Sequence, residues 1–123
     1  MKTQYIYVNE LGSKFYHSDK AMEVLHREDG PAIEFESGTK KWYRDGKLHR
    51  TDGPAIEWSD GDKHWYQDGK RHRTDGPAIE WNDGYKEWYI DDLQLTEVQF
   101  KAKTSPHNGK KVVVDGIEYT LKA

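Results

Sequence analysis

The chain has 123 residues, which is the length of one domain. With 34% hydrophobic residues, 33% charged residues and a mean hydropathy of −1.09, it is too polar for a thick two-layer globule. The aromatic share of 13% excludes disorder, because disordered chains are poor in aromatic residues. The absence of cysteine excludes disulfides and thiolate metal sites, and a net charge of −3 with interspersed signs gives no long-range attraction to nucleic acid or anionic membranes.

Residues 1–25 are predicted to form an N-terminal cap. Within them, residues 5–19 resemble a degenerate copy of the hairpin that follows, as expected of a terminal repeat. The first residues lack the apolar segment of a signal peptide, and no stretch approaches the ~18 apolar residues of a membrane helix. We therefore expect a cytoplasmic protein without a membrane partner.

A 23-residue unit occupies residues 26–94 in three nearly identical copies, at 26–48, 49–71 and 72–94. Each copy carries His-Arg-x-Asp-Gly-Pro-Ala-Ile-Glu, then an aromatic residue, Gly, Lys and Trp-Tyr-x-Asp. Such a period is typical of repeat arrays in which each unit packs on its neighbours. The third copy has Asp92 where the other copies have glycine, so we expect its last turn to be broken.

Each copy is predicted to contain a β-hairpin. In the second copy, Asp60-Gly61 lies between two runs of strand-forming residues. Asp-Gly at this place favours a two-residue type I′ turn, since both central residues of that turn need a positive φ. Such a turn would pair Ile56 with Trp65 across the hairpin.

This register predicts one apolar face, because the side chains of a strand alternate between the two faces. The face would carry the isoleucine and two aromatic residues of each copy: Ile33, Phe35, Trp42, Ile56, Trp58, Trp65, Ile79, Trp81 and Trp88. Glu57, His64 and Tyr66 would take the opposite face. We interpret the tryptophans mainly as core, and a thin open sheet also predicts a homodimer through this Ile/Trp face.

A second turn is predicted in the first two copies, at Asp45-Gly46 and at Asp68-Gly69. The proline of each copy cannot donate to a sheet ladder and belongs at a strand start or in a turn. Each copy therefore contributes two or three short strands to a meander.

Residues 95–123 are predicted to form a C-terminal cap. Thr96 and Gln99 match a capping box that opens a short helix near 97–103. A final hairpin follows around Asp115-Gly116. The predicted fold class is mainly β: an antiparallel β-meander of hairpin repeats with a short C-terminal helix and a capping hairpin.

The His-Arg pair that opens each copy has two interpretations. Arginine suits phosphate, so the row of pairs is a candidate anion site. Alternatively, the arginine or histidine braces the turn of its own copy through Asp29, Asp52 or Asp75, which the threefold repetition favours. No metal site is predicted, because equivalent histidines on strands two or three apart are ~10–14 Å from one another.

A row of tyrosines and glutamates on the face opposite the Ile/Trp face is the candidate contact surface, since tyrosine is enriched in interface hot spots. The candidate binding residues, for a protein or an anion, are Tyr43, Tyr66, Tyr89, Arg27, Arg50, Arg73, His49, His72 and Glu57. Direct binding of nucleic acid is not expected, because acidic residues interrupt the basic ones.

No pattern in the chain indicates catalysis. There is no cysteine nucleophile, P-loop or dinucleotide fingerprint, and the serines lie in turns or near the ends. The sequence therefore predicts no catalytic residue, no cofactor and no enzyme activity.

The unit Gly-x-x-x-Trp-Tyr-x-Asp-Gly-Lys-x-His-Arg resembles MORN-type repeats over residues 26–91. Its His-Arg-x-Asp-Gly-Pro-Ala version is similar to a variant in small proteins of tailed bacteriophages and giant viruses. The resemblance implies a scaffold that binds protein partners. A phage origin would imply a small inhibitor of a host protein in the host cytoplasm, such as an anti-CRISPR protein. Two alternatives remain: a sponge for an anionic nucleotide signal, and a structural or virion-associated repeat protein.

Overall fold

The computed structural model describes residues 3–104 and 111–120 and is mainly β, as the sequence predicts. Two N-terminal strands precede the repeats: β1 (Tyr5–Val8) and β2 (Lys14–His17). The strands of the first copy are β3 (Ile33–Glu34), β4 (Lys40–Lys41), β5 (Tyr43–Arg44) and β6 (Lys47–Leu48). Those of the second copy are β7 (Ile56–Glu57), β8 (Lys63–His64), β9 (Tyr66–Gln67) and β10 (Lys70–Arg71).

The third copy contributes longer strands and leads into the C-terminal elements. Its strands are β11 (Ile79–Glu80), β12 (Lys86–Ile90) and β13 (Leu93–Leu95). The remaining elements are α1 (Glu97–Thr104), β14 (Lys111–Val114) and β15 (Ile117–Thr120). In the described residues no helix is long and apolar enough to cross a membrane.

One antiparallel sheet of nine strands runs through all three copies in the order β1-β2-β3-β4-β7-β8-β11-β12-β13. Its register places lysine and glutamate opposite each other on successive strands, which forms a charged ladder. The ladder consists of Lys14, Glu34, Lys40, Glu57, Lys63, Glu80 and Lys86. Opposite charges that face each other across strands stabilise a sheet by about 0.2–1 kcal/mol each.

Two small hairpins, β5-β6 and β9-β10, stand beside this sheet. Their turns are the predicted second turns: φ is positive at both central residues, 51° and 78° at Asp45-Gly46. The third copy does not break this turn, contrary to expectation. Asp91 and Asp92 adopt φ of 47° and 68°, because aspartate tolerates the left-handed region better than most residues.

The first turn of each copy differs from the predicted type I′ turn. In the second copy only Gly61 has a positive φ, of 102°, whereas Asp60 does not. The loop holds three residues and is closed by hydrogen bonds from the Trp58 amide to the Asp62 carbonyl and from the Gly61 amide to the Trp58 carbonyl, each 3.0 Å long. Three-residue loops of this kind combine a type I turn with a bulge at the glycine.

This extra loop residue shifts the hairpin register by one. Ile56 pairs with His64 and not with Trp65, and Glu57 pairs with Lys63. A shift of one residue moves a side chain to the other face of the sheet. The predicted face assignments are therefore wrong for the second strand of the hairpin: His64 lies on the Ile56 face, and Lys63 lies on the Glu57 face.

The core is thin and is built from the Ala-Ile pair of each copy. The buried apolar residues are Ala32, Ile33, Ala55, Ile56, Ala78, Ile79, Tyr89 and Phe100. In the third copy Ala78, Ile79 and Tyr89 form one cluster, and Trp65 packs against it. Each copy thus buries its Ala-Ile pair against the strands that flank it.

The helix α1 begins as the capping box predicts. The Thr96 amide donates to Oε1 of Gln99 at 2.9 Å, and the Gln99 amide donates to Oγ1 of Thr96 at 3.1 Å. Phe100 is buried, and α1 packs on β12 and β13, the last strands of the sheet. At the other end, the β1-β2 hairpin extends the sheet through pairing of β2 with β3.

Candidate functional site

The arginine of each His-Arg pair makes hydrogen bonds within its own copy and stacks on an aromatic ring that precedes the copy. In the second copy, Nε of Arg50 donates to Asp52 at 2.9 Å, and Nη1 donates to the Pro54 carbonyl and to Glu57, both at 3.1 Å. The guanidinium lies 3.9 Å from the centroid of the Trp42 ring. Arg27 and Arg73 repeat the arrangement on Tyr16 and Trp65.

These contacts match the second interpretation of the His-Arg pair, in which the arginine braces the turn of its own copy. The hydrogen bond from Arg50 lowers the pKa of the Asp52 carboxyl, and Arg73 does the same for Asp75. The glycine of the Asp-Gly-Pro motif makes room for the guanidinium, since a Cβ on Gly53 would lie 2.9 Å from Cζ of Arg50. The motif therefore encodes one compact unit around the arginine.

The histidines brace a different turn from the one considered in the sequence. Nδ1 of His49 accepts a hydrogen bond of 3.1 Å from the amide of Asp68, the first central residue of the second turn. His26 and His72 accept the equivalent hydrogen bond from the backbone amides of Asp45 and Asp91, at 2.9 and 3.2 Å. Each histidine thereby holds the second turn of its own copy.

The predicted Tyr/Glu surface is not assembled in the third copy. Because side chains alternate along β12, Tyr89 lies on the same face of the sheet as Glu87, and Lys86 lies on the other face. Because Glu80 pairs with Lys86, Tyr89 and Glu80 lie on opposite faces of the sheet. Tyr89 is also buried, with only 6% of its surface exposed.

The tyrosines of all three copies are removed from solvent to some degree. Burial raises the pKa of Tyr43, Tyr66 and Tyr89. The guanidinium of Arg71 lies 4.2 Å from the centroid of the Tyr89 ring. The tyrosine row thus contributes to internal packing.

A cleft of about 480 Å³ separates the His-Arg loops of the first two copies. It contains the candidate anion-binding residues Arg27, His49 and Arg50. Its charged lining consists of three arginines and three carboxylates, Arg27, Arg44, Arg50, Glu28, Asp29 and Asp52. This balance of charge offers little net attraction to an anion.

The opposite side of the sheet carries a row of aromatic rings, which we call the aromatic stripe. It consists of Tyr7, Phe15, Phe35, Trp58 and Trp81. The ring centroids of Tyr7 and Phe15 are 6.0 Å apart, and those of Phe15 and Phe35 are 6.1 Å apart. The last three members occupy the same position in the three copies, one period apart.

Two side chains stand between successive rings of the stripe. The Lys41 ammonium lies 5.6 Å from the Phe35 centroid and 5.1 Å from the Trp58 centroid. His64 packs edge-to-face between Trp58 and Trp81, with centroid distances of 6.1 and 5.3 Å. Its Nε2 is buried without a hydrogen-bond partner among the described residues.

The prediction that tryptophan forms core is wrong for two members of the stripe. Trp58 and Trp81 keep 38% and 37% of their surface exposed, and Tyr7 keeps 52%. The sequence does contain a signal for the stripe. The residue before Trp-Tyr is lysine, histidine and glutamate in the three copies, although its neighbours on both sides are invariant. A variable position within an invariant frame marks a place where the copies differ in what they contact.

Among residues 3–104 and 111–120, no group of three or more histidine or carboxylate side chains is placed to hold a metal ion. Comparisons with protein-family models, curated proteins and solved structures found no match to this chain.

Proposed function

We propose that this protein is a non-enzymatic protein-binding module that contacts its partner through the aromatic stripe. The observation that carries the proposal is the pair of half-exposed indoles, Trp58 and Trp81, aligned one repeat apart on a sheet braced in every copy. Tryptophan and tyrosine dominate the hot spots of protein interfaces. Adjacent exposed aromatic rings are typical of interaction surfaces on soluble domains.

The charges around the stripe favour a protein over a nucleotide or a nucleic acid. Asp62, Asp83 and Glu87 surround the Trp81 end of the stripe, where they would repel phosphate. The arginines that suit phosphate lie in the His-Arg loops, and each is paired with carboxylates of its own copy. The nucleotide sponge is therefore the less favoured function.

The resemblance to MORN-type repeats of small phage proteins supplies the biological setting of the proposal. In that setting the module inhibits a host protein, with a defence effector such as a CRISPR nuclease as the class of target. A rigid surface suits steric blocking, because little conformational entropy is lost when it binds. Residues 26–94 repeat one internal network three times, which gives the surface that rigidity.

The test is affinity capture from a bacterial lysate, followed by binding measurements with the purified partner. The double variant Trp58→Ala/Trp81→Ala should lower the affinity about 30-fold or more, since each indole is expected to act as a hot spot. Leu93→Ala is the matched control, because Leu93 is also an exposed apolar side chain, with 57% exposure. An unchanged affinity in the double variant would overturn the proposal.

A further inference from the structure

The three copies show what the sheet places beside each ring of the aromatic stripe. Lys41, His64 and Glu87 occupy the same position of the repeat and pair with the buried isoleucines in the same way. Lys41 inserts a cation between two rings, and His64 inserts an imidazole. In the third copy this position holds the carboxylate of Glu87, so the charge there is negative where the first copy has a positive charge.

Glu87 does not insert between rings as its counterparts do. Its Oε2 accepts a hydrogen bond of 2.7 Å from Nε1 of Trp81, and its Oε1 accepts from Tyr89 and Gln94, both at 3.3 Å. The carboxylate is therefore held at the edge of the Trp81 indole. Beside that indole lies a cleft of about 420 Å³.

Two aromatic rings line this cleft. They belong to Trp81 and to Tyr85, which has 63% of its surface exposed. In the first copy, the equivalent of Tyr85 is Thr39, which is buried. The third copy thus has an exposed ring where the first has a buried threonine, and among the described residues no lysine or arginine lines this cleft.

The charge of the cleft matches a cationic ligand. Besides Glu87, its lining includes Asp62 and Asp83. Each of these aspartates accepts one backbone hydrogen bond, Asp62 from Asn82 at 2.6 Å and Asp83 from Tyr85 at 2.9 Å, which orients the carboxylate. Within the part of the chain that the structure describes, none of the three forms an ion pair with lysine or arginine.

We propose that the cleft of the third copy binds a lysine or arginine side chain of the protein partner, as Lys41 is bound between Phe35 and Trp58 within the chain. This inference rests on the proposed function, because the cation belongs to the protein that docks on the stripe. Aromatic faces and carboxylates together recognise cationic side chains through cation–π attraction and charge pairing. The expected partner surface is a basic loop whose side chain enters the cleft.

A peptide titration tests the site without the partner. The probe is the capped tripeptide Gly-Lys-Gly, and the control peptide has norleucine in place of lysine. We expect the lysine peptide to shift the indole N–H resonance of Trp81, assigned with Trp81→Phe, and the norleucine peptide to leave it in place. Equal shifts with both peptides would overturn the proposal.

Two substitutions at Glu87 sharpen this experiment. Glu87→Gln should weaken binding of the peptide up to about five-fold, because it removes one exposed charge pair. Glu87→Lys copies the first repeat, so it should fold, fill the cleft from within and abolish binding. Glu10→Gln removes the same charge from the exposed β1-β2 turn and should leave the titration unchanged. Binding that survives Glu87→Lys in a folded protein would refute the inference.

Binding measurements with the purified partner distinguish failure of this inference from failure of the proposed function. If Trp58→Ala/Trp81→Ala weakens binding of the partner and Glu87→Lys does not, the cation site is wrong and the binding stripe stands. If neither change weakens binding, the proposed function itself is wrong. A homodimer that Glu87→Lys dissociates in analytical ultracentrifugation would assign the cation to a second copy of this chain and would overturn the assignment to a different protein.

Discussion

The guanidinium of Arg50 lies 3.9 Å from the ring centroid of Trp42, so the first residues of the second copy pack on an aromatic ring of the first. Arg73 on Trp65 repeats this joint, and Arg27 on Tyr16 makes it with the N-terminal hairpin. In a repeat array, such contacts between neighbours supply much of the stability. The His-Arg-x-Asp-Gly-Pro motif is nearly invariant because the same arginine contact is made at three successive boundaries between units.

Arg50→Ala should lower the free energy of unfolding by about 2–3 kcal/mol. It removes the stacking on Trp42 and leaves Glu57 without the hydrogen bond from Nη1. Urea denaturation measures the effect. Arg44→Ala is the control, because Arg44 is exposed, and it should change stability by less than about 0.5 kcal/mol. Equal losses in both variants would contradict the role of the joint.

Gly53→Ala should destabilise the protein by about 1–2 kcal/mol, because the new Cβ would lie 2.9 Å from Cζ of Arg50. The same substitution in an Arg50→Ala background removes the crowded neighbour. A double-mutant cycle should then give strongly non-additive losses, with little further cost of the alanine. Additive losses would show that glycine is needed for a reason other than the approach of the guanidinium.

His64 should make the stability of the protein depend on pH. Burial lowers the pKa of His64 from its ordinary value of 6.5, and the carboxylates of Asp62 and Glu87 oppose this shift only in part. The unfolded chain therefore binds the proton more readily than the folded one. The stability contributed by neutral His64 is present above about pH 6.5 and is lost as the pH falls toward the folded pKa.

The measurement for His64 compares wild type with His64→Gln in urea between about pH 7.5 and pH 5. The difference in unfolding free energy should shift against the wild type as the pH falls, because glutamine does not titrate. The other histidines are common to both proteins and cancel. A difference that does not vary with pH would rule out this role of His64.

Asp92→Asn should destabilise the protein at neutral pH and have no such effect in acid. Oδ1 of Asp92 accepts hydrogen bonds from the amide and from Nε of Arg71, and the backbone hydrogen bond is the main reason why the pKa of Asp92 is lowered. A lowered folded pKa means that the stability is present above the unfolded value of 3.8 and is lost as the pH falls through the folded pKa.

The Asp92 variant tests the turn as well as the charge. Asparagine accepts a positive φ about as readily as aspartate, so the backbone at φ 68° should be retained. Thermal unfolding followed over an acid series measures the difference from wild type. Glu10→Gln, an exposed charge removed elsewhere, should show no comparable pH dependence. A loss that persists in strong acid would point to the backbone and not to the carboxylate.

Features that depend on residues close together in the chain follow from the amino-acid sequence alone. The repeat period, the turn at Asp45-Gly46 and the helix cap at Thr96 all belong to this group. The ion pair of Arg50 with Asp52, two residues on, is equally local. Each depends on backbone geometry or side-chain reach within a few residues, which the residue types themselves specify.

The hairpin register, and with it the candidate site, depends on contacts between copies. Asp60-Gly61 is the same dipeptide as Asp45-Gly46, yet it forms part of a three-residue loop with a positive φ at the glycine alone. Asp-Gly fits both kinds of turn. Pairing of each hairpin with the copies on both sides selects between them, and a register shift of one residue exchanges the faces. His64 thereby lies between Trp58 and Trp81 on one face of the sheet, where both indoles remain partly exposed.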